Sequence, residues 1–358
     1  MPFSELKKQN TMNHLIIMAG GSGSRFWPMS TADKPKQFVD VLGTGRTLIQ
    51  HTADRFNSIC STDQIWVVTS MKYVNLVHEQ LPEIPKENIL SEPCMRNTAP
   101  CIAYAAWKIK SKDPDANVII VPADHMITNE SCFRELIIKG LSETETSRRI
   151  VTIGIKPHRP DTGYGYIKTG EKDQTEGFYT VSGFKEKPDK EVATHYVNNG
   201  GYYWNSGIFI WNIGTIENQI RRFCPELASV FDLISVQFDT PDEQKLIELY
   251  YPGLEKISID NAVMEKSTDI YVIAGNFGWS DLGTWSSLFD LSDKDQRKNA
   301  VSGDNVRMIE SDQCMVILPT GKQAVIEGLS GYIIIDHNDS LLICKKENEQ
   351  HIRTWIES

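Results

Sequence analysis

No C-x-x-C pair occurs in this 358-residue chain; its seven cysteines are scattered at 60, 94, 101, 132, 224, 314 and 344. An odd, dispersed set excludes a disulfide framework and the ligand spacing of a structural zinc site, and it is the usage expected of a reducing cytoplasm. No apolar run approaches the roughly 18 residues of a membrane span. The first ten residues, MPFSELKKQN, lack the apolar centre of a secretory leader. We therefore expect a cytoplasmic protein with no membrane contact. The formal net charge of −10 excludes general nucleic-acid binding. No Ser-His-Asp or Cys-His set stands at interpretable spacing, which argues against a covalent nucleophile. No low-complexity linker or fixed-length repeat interrupts the chain.

Against that acidic background, local cations are informative, and three surround one turn. Leu15 to Met18 run into Ala19-Gly20-Gly21-Ser22-Gly23; Arg25 closes the turn, and Lys34 and Lys36 flank Pro35. A strand that ends in small residues lets backbone N–H groups approach an anion, and the cations beyond can hold phosphates of the same ligand. Two familiar phosphate motifs fail here. No Lys-Ser or Lys-Thr follows the glycines, and the third glycine of G-x-G-x-x-G would fall at Phe26. A plain strand-to-helix turn is the competing reading, and the added Arg25, Lys34 and Lys36 favour phosphate.

The first half of the chain alternates strand and helix. Strands are expected at 13–18, 65–69, 88–91 and 117–121, and helices at 47–56, 72–80, 98–110 and 131–147. Short, continuously apolar strands between helices imply an α/β fold, Rossmann-like, with a mixed but mostly parallel sheet covered on both faces. Ligands of such sheets bind at the carboxyl ends of the strands, where the Gly20 turn and the Pro122-Ala123-Asp124-His125 segment lie. From about Ile150 the pattern becomes strand-rich, with helices at 190–198, 213–223 and across 240–251. The last 60 or so residues read as short strands joined by turns. We expect a large domain over 1–295 and a small all-β domain over 296–358.

Several residues could carry chemistry, each with a plainer alternative. Asp124, ending a buried strand, could hold Mg²⁺ on nucleotide phosphates or simply cap a turn. Asp281, within Phe277–Trp285, is flanked by small residues and two tryptophans and is a second metal candidate. Glu186 and Lys187 could grip a sugar hydroxyl and a sugar phosphate, or form a solvated charged turn. Asn205, an amide inside an aromatic strand, needs a partner, either a ligand hydroxyl or a core group. Gly165, between Tyr164 and Tyr166, suits backbone contact with a sugar or a β-bulge. In Glu92–Pro100, Asn97 or Thr98 can cap the following helix; the same loop could read a base edge, with Glu92 accepting from N–H groups.

The strings AGGSGSRFWPMS, KPKQF, EPCMRNTAP, VPADH, GYGYI, FKEKPD, YYWNSGIF, SIDNAVMEKS and GWSDLGTW span residues 18 to 285 in this order. Together they resemble the nucleotidyltransferases that make nucleotide sugars from sugar 1-phosphates, and FWP, RNTAP and GWSDLGTW look like the guanylyltransferase branch. The resemblance implies GTP and mannose 1-phosphate as substrates and a glycosyltransferase-A-like nucleotidyltransferase fold. It implies a C-terminal domain like a small left-handed β-helix used in homodimer contacts. It implies that Ala19, Gly20, Gly21 and Gly23 bind nucleotide with Arg25 and Lys36 on the triphosphate, and that Asp124 and Asp281 bind Mg²⁺. Glu186, Asn205 and the Gly165 backbone would bind sugar hydroxyls, Lys187 the sugar phosphate, and Glu92, Arg96, Asn97 and Thr98 would lie near the base. Long bacterial members carry an isomerase domain after the tail; none is expected here. Two alternatives accompany this reading: a related sugar 1-phosphate as acceptor, and a non-catalytic regulatory protein that binds nucleotide sugars.

Overall fold

A computed structural model of the chain describes residues 12–21 and 26–357. Gly23 and Arg25, two of the expected phosphate-loop residues, lie outside the described residues. Contacts group the rest into two compact units. The first takes the residues up to Gly20, Thr52–Ala123 and Ile127–Trp279; the second takes Gly21 to His51, Asp124–Met126 and Ser280 onward. The unit that contains the tail from 296 thus also takes in the segment after the glycine turn and the Asp124 and Asp281 segments. No helix among the described residues is long and apolar enough to cross a membrane.

The strands in chain order are β1 (Asn13–Met18), β2 (Ile65–Ser70), β3 (Ile89–Glu92), β4 (Asn117–Pro122), β5 (Met126–Ile127), β6 (Ile150–Ile155), β7 (Tyr166–Lys172), β8 (Phe178–Lys185), β9 (Tyr202–Asn212), β10 (Ile270–Gly275) and β11 (Trp279–Ser280). The first unit is built on a sheet ordered β3-β2-β1-β4-β9-β6-β10-β8-β7. The expected mostly parallel pairing holds over β3-β2-β1-β4 and for β6 with β10. Elsewhere it needs correction, because every pairing of β7, β8 and β9 is antiparallel. Parallel neighbours need a crossover helix. The helices α1 (Leu48–Asp54), α2 (Val74–Gln80) and α3 (Thr98–Lys112) supply it between the first four strands. Between β7 and β8 the chain is too short for one, so it turns back on itself.

The apolar runs of β1 and β4 are fully buried because both sheet faces are covered. On one face α3 packs with α6 (Ile213–Phe223) and α7 (Pro225–Ser235) in a core that includes Ile16, Val118, Phe209, Trp211 and Phe231. Pro225 occupies the first turn of α7, where a missing N–H costs no helical hydrogen bond. Buried Lys108 on α3 is neutralised by Asp239 at 3.0 Å and by Glu243 of α8 (Glu243–Tyr250).

In the second unit, β12 (Ala300–Ser302), β13 (Asn305–Ile309), β14 (Met315–Ile317), β15 (Gln323–Glu327) and β16 (Tyr332–His337) alternate between two sheets, and β17 (Ser340–Lys345) closes the larger one. Ala300 pairs Met315 and Met315 pairs Ile333, all parallel, while Asn305 pairs Gln323 across the other sheet. Side chains alternate along each strand, so β14 and β16 of the larger sheet each feed two cores. Val316 and Ile334 point into a core between the sheets with Val306, Met308 and Ile326. Met315, Ile333 and Ile335 face Phe26, Val39, Leu48, Leu282 and Trp285.

Candidate active site

The second unit holds a cation buried beside a carboxylate. Pro35 precedes a single turn of 3₁₀ helix, Lys36–Phe38, which carries the Lys36 side chain inward over the Phe26 ring, 5.6 Å from its centroid. The Lys36 ammonium lies 2.9 Å from Asp124 Oδ2 and donates to the carbonyl oxygens of Asp281 and Leu282, both at 2.8 Å. Its three N–H bonds are therefore all engaged. Burial pushes the Asp124 carboxyl up, but the adjacent Lys36 ammonium, helped by His125, more than offsets this and holds it below the ordinary carboxylate range. Asp281 folds over its own turn, with Oδ1 accepting from the Gly283 N–H at 3.0 Å. A Cβ on Gly283 would sit 2.6 Å from Asp281 Oδ2, so a larger residue there would displace the Asp281 carboxylate. Gln37, also buried, donates to the Gly21 carbonyl at 2.9 Å and pins the end of the glycine turn.

The donor chemistry here fits a magnesium ion shared with phosphate. Mg²⁺ is commonly bound by one or two carboxylates with substrate oxygens and waters completing its shell. The Asp124 carboxylate and the main-chain carbonyl of Asp281 both meet the Lys36 ammonium, so the oxygens here already face a cation. Among the described residues no group of three or more His, Cys, Asp or Glu side chains forms a cage that would hold a metal by itself.

In the first unit, Ala19 continues the β1 backbone ladder, its N–H on Val68 O at 2.8 Å and its carbonyl accepting from Thr69 Oγ1 at 3.0 Å. Gly20 follows, and a Cβ there would lie 3.0 Å from Glu92 Oε2. Glu92 ends β3, is buried, and accepts a hydrogen bond from Tyr251 Oη. Burial pushes its carboxyl up to about 7, and the tyrosine bond only partly offsets this. Asn97, at φ +69°, caps α3 by accepting from Thr98 N at 2.9 Å. Thr98 Oγ1 accepts from Ile259 N at 2.8 Å, Ala99 N donates to Ile257 O, and Arg96 donates to Pro252 O. A strap over 251–259 thus fastens the whole Glu92–Ala99 loop. Sequence reading found the cap but not the strap, since nothing in residues 251–259 marks a partner some 160 residues away.

A second cluster of the first unit brings Gly165, Glu186, Lys187 and Asn205 together. Glu186 and Lys187 sit just past the end of β8, with Lys187 Nζ 2.7 Å from Glu186 Oε1. Lys187 has φ +43° and an exposed side chain. Asn205 on β9 donates its backbone N–H to the Gly165 carbonyl at 2.8 Å. At Gly165 a Cβ would lie 2.6 Å from Glu186 Oε2, so a larger residue there would displace the Glu186 carboxylate. One residue was missed: Asp260, at the start of a wide helical turn, Asp260–Met264. Its Oδ1 accepts from Asn205 Nδ2 at 2.7 Å. The signal was present in the string SIDNAVMEKS, but its spacing gave no partner.

The nucleotidyl transferase family model matches residues 14–298. The chain is 36% identical over 353 residues to mannose-1-phosphate guanylyltransferase 2 of Escherichia coli, covering 96% of this chain and 72% of that one. It is 36% identical over 348 residues to a mannose-1-phosphate guanylyltransferase of Salmonella typhimurium, covering 96% and 71%. A crystal structure from Thermus thermophilus, described as a mannose-1-phosphate geranyltransferase, matches with a TM-score of 0.87 at 28% identity over 97% of this chain and 99% of that one. The chain belongs to the nucleotidyl transferase family and, within it, to the mannose-1-phosphate guanylyltransferases.

Proposed function

We propose that the chain transfers GMP from GTP to α-D-mannose 1-phosphate, giving GDP-mannose and pyrophosphate. The observation that carries this reading is the 36% identity, over 96% of the chain, to enzymes named for that reaction. A phosphate oxygen of the sugar attacks the α-phosphorus of GTP in line; the new O–P bond forms as the bond to the β-phosphate breaks and pyrophosphate leaves. The attacker is already an anion, so no general base is needed, and catalysis rests on positioning and charge neutralisation. This agrees with the lack of a nucleophile set in the sequence.

We assign Asp124 and Asp281 to Mg²⁺, which when bound supplies charge neutralisation between two anionic substrates. Ala19, Gly20, Gly21 and Gly23 border the nucleotide phosphates, and Arg25 and Lys36 the triphosphate. With its three N–H bonds engaged, Lys36 reaches a phosphate oxygen by exchanging a neutral carbonyl, a weaker acceptor than an anion. Lys187 holds the sugar phosphate, Glu186, Asn205 and the Gly165 backbone hold sugar hydroxyls, and Glu92, Arg96, Asn97 and Thr98 border the guanine. The β-rich 296–358 region we assign as a small left-handed β-helix that mediates a homodimer, beside a catalytic domain over 1–295, in the cytoplasm.

Pyrophosphate release tests the reaction, with four nucleoside triphosphates crossed against mannose, glucose and fucose 1-phosphates. GTP with mannose 1-phosphate is expected to be the fastest pair. A faster pair would replace the substrate assignment, and no release from any pair would leave a nucleotide-sugar binder instead of an enzyme.

A further inference from the structure

Asp260 and Glu186 are two carboxylates placed near one another on separate segments of the first unit. Burial, with repulsion from Glu186 added, pushes the Asp260 carboxyl up to about 6; its own backbone N–H, the Asn205 bond and the Lys187 ammonium only partly offset this. A core would not gain from such a pair. Both side chains are only partly buried, as is Asn205, so a small molecule can reach them. The inventory of polar atoms then shows what is left to offer. Asn205 uses its Oδ1 on the Gly207 N–H at 3.1 Å and one amide hydrogen on Asp260, leaving one donor. Glu186 uses Oε1 on Lys187 and presents Oε2 against Gly165, where no side chain intervenes. Asp260 has Oδ2 left. The remaining groups are two carboxylate acceptors and one amide donor.

We propose that Asp260 reads the sugar of the acceptor substrate, its free carboxylate oxygen accepting from a hydroxyl adjacent to the one held by Glu186. The proposal rests on the reading of this cluster as the sugar subsite. Two acceptor-only groups side by side need donors, and neighbouring hydroxyls of a pyranose are donors spaced to meet two carboxylates at once. Ionised carboxylates that accept from hydroxyls form the stronger, charge-assisted kind of hydrogen bond. A hydroxyl turned the other way by epimerisation would leave one carboxylate unpaired, and an unpaired buried acceptor is costly. Asp260 is thereby a specificity-determining residue, and Asn205 is held in register by it.

The test compares wild type with Asp260→Asn and Asp260→Ala. The Asn variant preserves size and keeps an oxygen for the Asn205 amide, so it reports on charge even if the Ala variant fails to fold. KM for mannose 1-phosphate is expected to rise about tenfold or more in Asp260→Ala and about three- to tenfold in Asp260→Asn. KM for GTP should stay within twofold, and the kcat/KM preference for mannose over glucose 1-phosphate should fall about fivefold or more. Unchanged KM for the sugar phosphate in Asp260→Asn, or equal rises for both substrates, overturns the proposal. The wild type separates the two readings: if it favours another sugar phosphate, the mannose assignment fails alone, and the same variants are then scored on the favoured sugar phosphate.

Discussion

Asp124 touches a buried ammonium, whereas Asp260 faces a second carboxylate. Asp124 follows a strand end and Asp260 starts a helical turn, and both lose solvation there. The first is nevertheless held below its ordinary value and the second lifted to about 6. Burial acts in the same direction on each, so the sign turns on whether a neighbouring cation outweighs it. The two settings match the ligands proposed for them. A carboxylate kept ionised suits a metal ion, and a crowded pair of acceptors suits hydroxyl donors. Opposite slopes of stability against pH follow. The Asp124 contribution is present above its unfolded value, near 3.8, and is lost as pH falls below it. The contributions of groups lifted in the fold are full at acid pH and fade as pH rises through the lifted value.

The strongest way to break this contrast is Asp124→Asn. It removes the carboxylate assigned above to Mg²⁺ and leaves Lys36 without its anion. We expect turnover to fall at least ~100-fold, with Asp281→Asn matching it. Stability should drop by about 1–3 kcal/mol, less than the ~3–5 kcal/mol of a fully buried broken pair, because Asp124 is 34% exposed. Retained turnover in either variant would remove the metal assignment. A smaller effect sharpens the other side. Glu92, like Asp260, is lifted, to about 7 from 4.5, so its contribution is full below pH 4.5 and gone above about 7. Glu92→Gln keeps an oxygen for Tyr251 and should flatten urea-derived stability between pH 5 and 8 by about 1–3 kcal/mol. An unaltered slope would mean that Glu92 carries no such strain. The smallest change is expected at Asp232, whose carboxyl is held down mainly by Arg221 at 2.6 Å on the surface. Asp232→Asn should alter stability by no more than about 1 kcal/mol, and a larger loss in thermal denaturation would show that exposure does not weaken a charge pair here.

Much of the first unit was legible because its strands are short and wholly apolar and its helices periodic. The expected helix at 98–110 extends to Lys112 and the strand at 117–121 to Pro122. The α7 helix escaped notice because Pro225 reads as a break, although it is tolerated at a helix start. The antiparallel pairings of β9 were not readable, since a strand buried on both faces looks alike in either direction. Gly165, Glu186 and Asn205, proposed for the sugar, were found as local strings, and the fold brings them together. Lys36 was found as a cation, but its engagement with Asp124 and the 281–282 carbonyls depends on segments some 90 and 245 residues away. Tyr251 and Asp260 belong to the same category: their side chains are ordinary, and only the fold gives them partners.

The strap over 251–259 bears on the order in which the protein is made. A ribosome that has released the first 120 residues has delivered β1 to β3 and α3, yet Glu92, Thr98 and Ala99 still lack Tyr251, Ile259 and Ile257. Until that later segment emerges, a glutamate destined for burial stays in water, at its ordinary acidity, in a loop without its fastening. The Glu92–Ala99 loop therefore matures after most of its sheet, and truncation before residue 251 would leave a nascent chain with much of the sheet but without the finished loop.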